Sequence, residues 1–97
     1  MAPAVTTEQR VDVGDGHVVV LRTPDGESQP VGCDIEHLTP DGRGCVGWIA
    51  FDVPYHDWVS AEGKWQVESW EPLTLSPSLL CGCGDHGFVR NGTWVRA

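Results

Sequence analysis

Basic residues are scarce in this chain. Lys64 is its only lysine, and with five arginines it faces 14 acidic residues, for a net charge of -8 over 97 residues. The deficit is uneven. Residues 1–63 hold Arg10, Arg22 and Arg43 against eleven acids, whereas residues 64–97 balance three of each sign. Nucleic-acid binding through phosphates needs Lys and Arg to neutralise the backbone, so direct nucleic-acid binding is not expected. The acidic two thirds suit a soluble, self-repelling surface, or one that docks a basic partner. Good helix formers are also sparse. With 12 Gly and 7 Pro, no long stretch is free of Gly, Pro or β-branched residues, which argues against helix. No apolar run approaches the ~20 residues that span a bilayer, so no membrane segment is expected. Residues 1–7 have neither a basic nor an apolar leader segment, so no signal peptide is expected and the chain should stay in a cytosol. Catalytic signatures are missing too: no phosphate-cradling loop before a helix, no serine nucleophile elbow and no cysteine-protease motif. The Gly14-Asp15-Gly16 run is a turn rather than a nucleotide motif. An enzyme is not expected.

What remains is a pattern of short strands. At this length one domain is expected: a loose arm over residues 1–9, then a single β-rich domain over residues 10–97. Residues 11–13 and 17–21 flank Asp15-Gly16, a hairpin turn signal, and residues 87–90 and 93–95 flank Asn91-Gly92, the strongest such signal. Residues 46–53 are apolar on both faces and read as a central, well-covered strand. Residues 64–70 alternate, and Leu73 and Leu75 extend between Pro72 and Pro77. Residues 31–45 read as mostly loop, with a turn at Thr39-Pro40-Asp41-Gly42. Residues 55–62 have room for one helical turn. The expected fold is all-β: five or six strands in a small sheet or partly open barrel, with a zinc-ribbon-like C-terminal hairpin. Of the five tryptophans, most should be core. Trp48, Trp58 and Trp70 are the candidates for a binding surface.

The chemistry concentrates in Cys81-Gly82-Cys83-Gly84-Asp85-His86-Gly87. Three soft or borderline metal ligands fall close together, separated by glycines that let the chain turn tightly and bring backbone N–H groups to thiolate sulfur. A second ligand-bearing stretch holds Cys33, His37 and Cys45. One Zn2+ joining the two would tie the N-terminal half to the C-terminal hairpin. The preferred set is Cys33, Cys45, Cys81 and Cys83. His86 would substitute for Cys81 or Cys83 if their one-residue spacing prevents both from binding, and His37 is a spare candidate. A Cys33–Cys45 disulfide in an exported protein, or unligated buried thiols, remain open alternatives. Zinc here would be structural, because cysteine-rich sites are usually closed. His17 and His56 have no partners nearby in sequence and read as surface or strand residues.

Two stretches resemble a family of small uncharacterised proteins encoded by bacteriophages of actinobacteria. They are Gly32-Cys33-Asp34-Ile35-Glu36-His37 and residues 75–95, with its Ser76-Pro77-Ser78-Leu79-Leu80-Cys81 and Gly84-Asp85-His86-Gly87-Phe88-Val89-Arg90-Asn91-Gly92 runs. Together they cover about a third of the chain. The single residue between Cys81 and Cys83 departs from the two that are usual in the family. The resemblance implies a phage origin and expression in the host cytoplasm, and it carries no activity. The expected role is a zinc-stabilised protein that binds a host or phage protein. A virion accessory protein of capsid or tail, or a small metalloenzyme, are the alternatives.

Overall fold

The computed structural model describes residues 7–39, 41–52 and 64–97. Among these there are nine strands and no helix: β1 (Thr7–Gly14), β2 (His17–Thr23), β3 (Gly32–Leu38), β4 (Gly44–Phe51), β5 (Lys64–Trp70), β6 (Leu73–Ser76), β7 (Leu79–Leu80), β8 (His86–Arg90) and β9 (Thr93–Arg96). The expected all-β class holds. Strands β1 to β6 form one sheet in sequence order, curled into a half-barrel, and β7 to β9 form a second, smaller sheet. All pairings are antiparallel except β4 with β5, which is parallel through Ala50 and Phe51.

The two turn signals do what their residues allow. Asp15 and Gly16 have φ of 52° and 74°, and Asn91 and Gly92 have 51° and 72°. Two consecutive positive φ values match the twist of the flanking strands, and Asn, Asp and Gly tolerate them best. The second turn is docked on β6: Gly92 N donates to the Leu73 carbonyl at 2.8 Å, and Asn91 N to Thr74 Oγ1 at 3.1 Å.

Three expectations need correction. Thr7, Glu8 and Gln9, expected in a loose arm, pair with Thr23, Arg22 and Leu21 in the sheet. The loop over residues 31–45 contains a central strand, β3. Cys33, Ile35 and His37 point inward, whereas Asp34 and Glu36 point out. Their carboxylates meet arginines from β2 and β1: Arg22 donates to Asp34 through Nε at 3.0 Å and Nη2 at 2.6 Å, and Arg10 pairs with Glu36. Cross-strand charge pairs thus support a strand that contains few β-formers. Finally, β4 is covered on both faces only at Ile49, Ala50 and Phe51, since Val46 and Trp48 are 59% and 47% exposed. The helical turn considered over residues 55–62 lies outside the described residues.

The core lies between the sheets. Val13, Val19, Leu21, Ile35, Ile49 and Phe51 of the large sheet meet Leu79, Val89 and Trp94 of the small one, and Leu73 and Leu75 close the side. Trp94 also covers Gly87, where an added Cβ would come within 2.5 Å of the indole and 2.8 Å of the Val95 carbonyl. The small sheet is therefore held by apolar burial at its centre, and its loop before β8 reaches the turn end of the β3–β4 hairpin.

Candidate metal centre

The β3–β4 hairpin turns through residues 39–43, closed by Thr39 N to the Arg43 carbonyl and Gly42 N to the Thr39 carbonyl, both 2.8 Å. Register then sets the chemistry. Leu38 pairs with Gly44, and His37 pairs with Cys45. Directly paired residues project side chains on the same face of a sheet, about 5 Å apart at Cβ. One imidazole and one thiol are thereby presented side by side.

The opposing ligands come from the loop between β7 and β8. Cys81 N donates to the Asp85 carbonyl at 2.8 Å and Gly84 N to the Cys81 carbonyl at 2.9 Å, with Gly84 at a φ of 96°. This tight turn lets both Cys81 and Cys83 face the hairpin, despite their one-residue spacing. His37 Nε2 lies 3.2 Å from Cys83 Sγ, and Cys45 Sγ lies 3.3 Å from Cys81 Sγ. All four ligand atoms fall within 4.8 Å of one another. Four ligands at tetrahedral angles on one zinc sit roughly 3.5–3.8 Å apart, given Zn–S and Zn–N bonds of about 2.3 and 2.0–2.1 Å. The cluster therefore brackets the required spacing and can hold a metal ion.

The sulfurs are electrostatically unequal without a cation. Backbone N–H of Cys83 donates to Cys81 and lowers its thiol below the ordinary value. Cys45, hydrogen-bonded to the Cys81 sulfur, is pushed up to about 12. Negative charge on one sulfur makes the next keep its proton, and a bound cation would remove that conflict.

The structure separates the sequence candidates. It brings together Cys45, Cys81, Cys83 and the spare, His37. It leaves out Cys33, which has no exposure, sits opposite Ile49 in the core, and has its thiol pushed up by burial. Cys33 is on the same strand face as His37 but four residues away, about 13 Å along an extended chain. It leaves out His86 too, whose Nε2 lies 2.9 Å from Ser78 Oγ on an exposed face. Among the tryptophans, Trp48 is half exposed and lies over Gly32. Trp70 packs edge-on against Phe51, with ring centroids 5.7 Å apart, and belongs with the core. Trp58, like His56, lies outside the described residues.

Sequence reasoning missed one residue altogether. His17, read as a surface or strand residue, is 5% exposed and wedged beside the cluster. Its ring stacks on Trp94 at 4.0 Å and on His37 at 5.1 Å. Its Nδ1 lies 2.7 Å from the Asp15 carbonyl and its Nε2 lies 2.5 Å from Asp85 Oδ2. The only early signal was its place at the end of a tight hairpin turn. No protein-family profile, curated protein or solved structure matches this chain.

Proposed function

We propose that the chain is a small phage-encoded interaction protein stabilised by one structural Zn2+, held by His37 Nε2 and the sulfurs of Cys45, Cys81 and Cys83. The observation that carries this reading is the convergence of those four atoms from two segments nearly forty residues apart. Three thiolates and an imidazole are a donor set that suits zinc, and four protein ligands form a closed site of the structural kind. The ion fastens the large sheet to the small one, where a 97-residue chain has a limited core. The binding surface lies beside it: Val46, Trp48 and Leu80 are 59%, 47% and 68% exposed. Apolar groups of this size, on an acidic molecule, suit a host or phage protein as partner.

The test is metal content of protein purified without chelator, followed by cobalt absorption. One equivalent of zinc is expected, and Co2+ should give thiolate charge-transfer bands that weaken in Cys45→Ser, Cys81→Ser and Cys83→Ser. Metal-free, fully folded protein would overturn the proposal.

A further inference from the structure

Beside the sulfur-rich cluster lies a second convergence of ligand atoms that the zinc reading does not use. His17 Nε2, His37 Nε2 and Asp85 Oδ2 lie within 4.8 Å of one another. They come from three separate places: the start of β2, the end of β3 and the turn before β8. Both imidazoles are more than nine-tenths buried, and Asp85 is half-buried. His37 Nε2 is common to both groups. It lies 3.2 Å from Cys83 Sγ and 3.8 Å from Asp85 Oδ2.

We propose that His17, His37 and Asp85 form a second, thiol-independent metal position that shares His37 with the sulfur site, so that the two positions are filled alternatively. The inference rests on the reading of His37 as a zinc ligand for the sharing alone; the His–His–carboxylate group stands on its own geometry. Two imidazoles and a carboxylate suit borderline divalent ions such as Zn2+, Co2+ or Ni2+ without any thiolate. Ligand atoms on a common ion of this kind stand about 3.0–3.4 Å apart. The His37–Asp85 separation is slightly longer than that, and the His17–Asp85 separation of 2.5 Å is a hydrogen bond. The metal replaces the proton between His17 and Asp85, and that proton leaves to solvent as the two groups part by under 1 Å.

Chemistry also sets when the second position fills. One nitrogen cannot serve two ions, so thiolates in working order hold the ion on the sulfur side. When the thiols are blocked, His37 is released to His17 and Asp85. The chain then keeps a divalent ion at the same seam between the sheets, with weaker, oxygen- and nitrogen-based coordination.

The experiment uses the full chain and Co2+ as probe. Thiols are capped with a small methylthiolating reagent, and folding is checked by near-ultraviolet circular dichroism. Capped protein should bind one equivalent of Co2+, with visible d–d absorption and no thiolate charge-transfer band. His17→Gln and Asp85→Asn should each weaken that binding at least tenfold, while leaving Co2+ binding by uncapped protein within about threefold. Cys45→Ser/Cys81→Ser/Cys83→Ser, altered only at partly or fully exposed positions, provides the same readout without capping. Absence of Co2+ binding by both the capped chain and this triple variant would overturn the second position. So would binding that ignores His17→Gln and Asp85→Asn. Failure of the zinc reading shows differently, as uncapped protein with no charge-transfer band.

Discussion

His37 and Cys45 are direct partners across the β3–β4 ladder, one pair in from the turn at residues 39–43. That register puts an imidazole and a thiol on one inward face at the turn end of the hairpin, where the turn carrying Cys81 and Cys83 closes over them. The large sheet thus contributes half a ligand set and the small sheet the other half. An ion held there bridges elements that otherwise meet through the apolar core and a few polar contacts, such as Arg96 Nε to Asp15 Oδ2 at 2.7 Å. Chelation should therefore unfold or strongly destabilise the domain, because metal binding and folding are coupled in chains of this size. The expected outcome is a fall of at least 10 °C in the thermal midpoint with excess chelator, reversed by added Zn2+. A midpoint unchanged by chelation, in protein first shown to contain zinc, would remove the architectural role.

Cys33 and His37 offer the cleanest contrast between a buried thiol and a ligand. Cys33 is sealed between Leu21 and Ile49 in register and has no exposure. Cys33→Ser places a hydroxyl in an apolar site, at a cost of about 1–3 kcal/mol. It should leave Co2+ absorption and zinc stoichiometry unchanged. His37→Ala should instead lose metal affinity by orders of magnitude and shift the Co2+ bands. His86→Ala should do neither, since His86 reaches Ser78 on the surface. If Cys33→Ser changed the Co2+ spectrum, the ligand assignment would be wrong.

The same pair shows what was legible in advance. Four cysteines and their glycine-rich surroundings were visible as a metal pattern, and so was the bridging of two distant segments. The choice of His37 over Cys33 was hidden, because it depends on β3 being a strand. Cysteine, aspartate, glutamate and histidine are poor strand signals, and this strand is supported by arginines that arrive from β1 and β2. Once β3 is extended, pairing across the turn at residues 39–43 sets 37 against 45 without further information. Local turn chemistry was readable for the opposite reason. Asp15-Gly16 and Asn91-Gly92 fix their own backbone angles and need no partner to do so.

Two glycines should tolerate no side chain, for reasons of tertiary packing rather than backbone angle. A Cβ on Gly32 would lie 2.5 Å from the Trp48 ring and from the Ile49 carbonyl oxygen, and one on Gly87 would lie 2.5 Å from the Trp94 ring. Overpacking of this kind costs about 1–3 kcal/mol. Gly32→Ala and Gly87→Ala should each lower the thermal midpoint by roughly 4–24 °C, on the scale of 4–8 °C per kcal/mol for small domains. Gly82→Ala, which meets nothing within 4 Å, is the control and should change the midpoint little. Equal midpoints for all three would mean that the two indoles do not sit against these strands.

Proton release should accompany metal uptake, and its sign follows from the sulfurs. With no cation, Cys81 is below the ordinary thiol value because backbone N–H of Cys83 donates to it, whereas Cys45 is pushed up to about 12 by its bond to Cys81. At neutral pH Cys45 therefore carries a proton, which an incoming ion must displace. The raised value stabilises the metal-free fold below the ordinary thiol range, and that contribution is lost as pH rises toward about 12. The metal-bound fold has the opposite sense, because protons compete with the ion for sulfur. Zinc affinity should thus fall as pH is lowered from 8 to 6, by about tenfold per unit for each proton displaced. Calorimetry in two buffers of different ionisation enthalpy measures the proton count directly. Cys45→Ser should release fewer protons than the unaltered chain, and an equal count in both would place the displaced proton elsewhere than on Cys45.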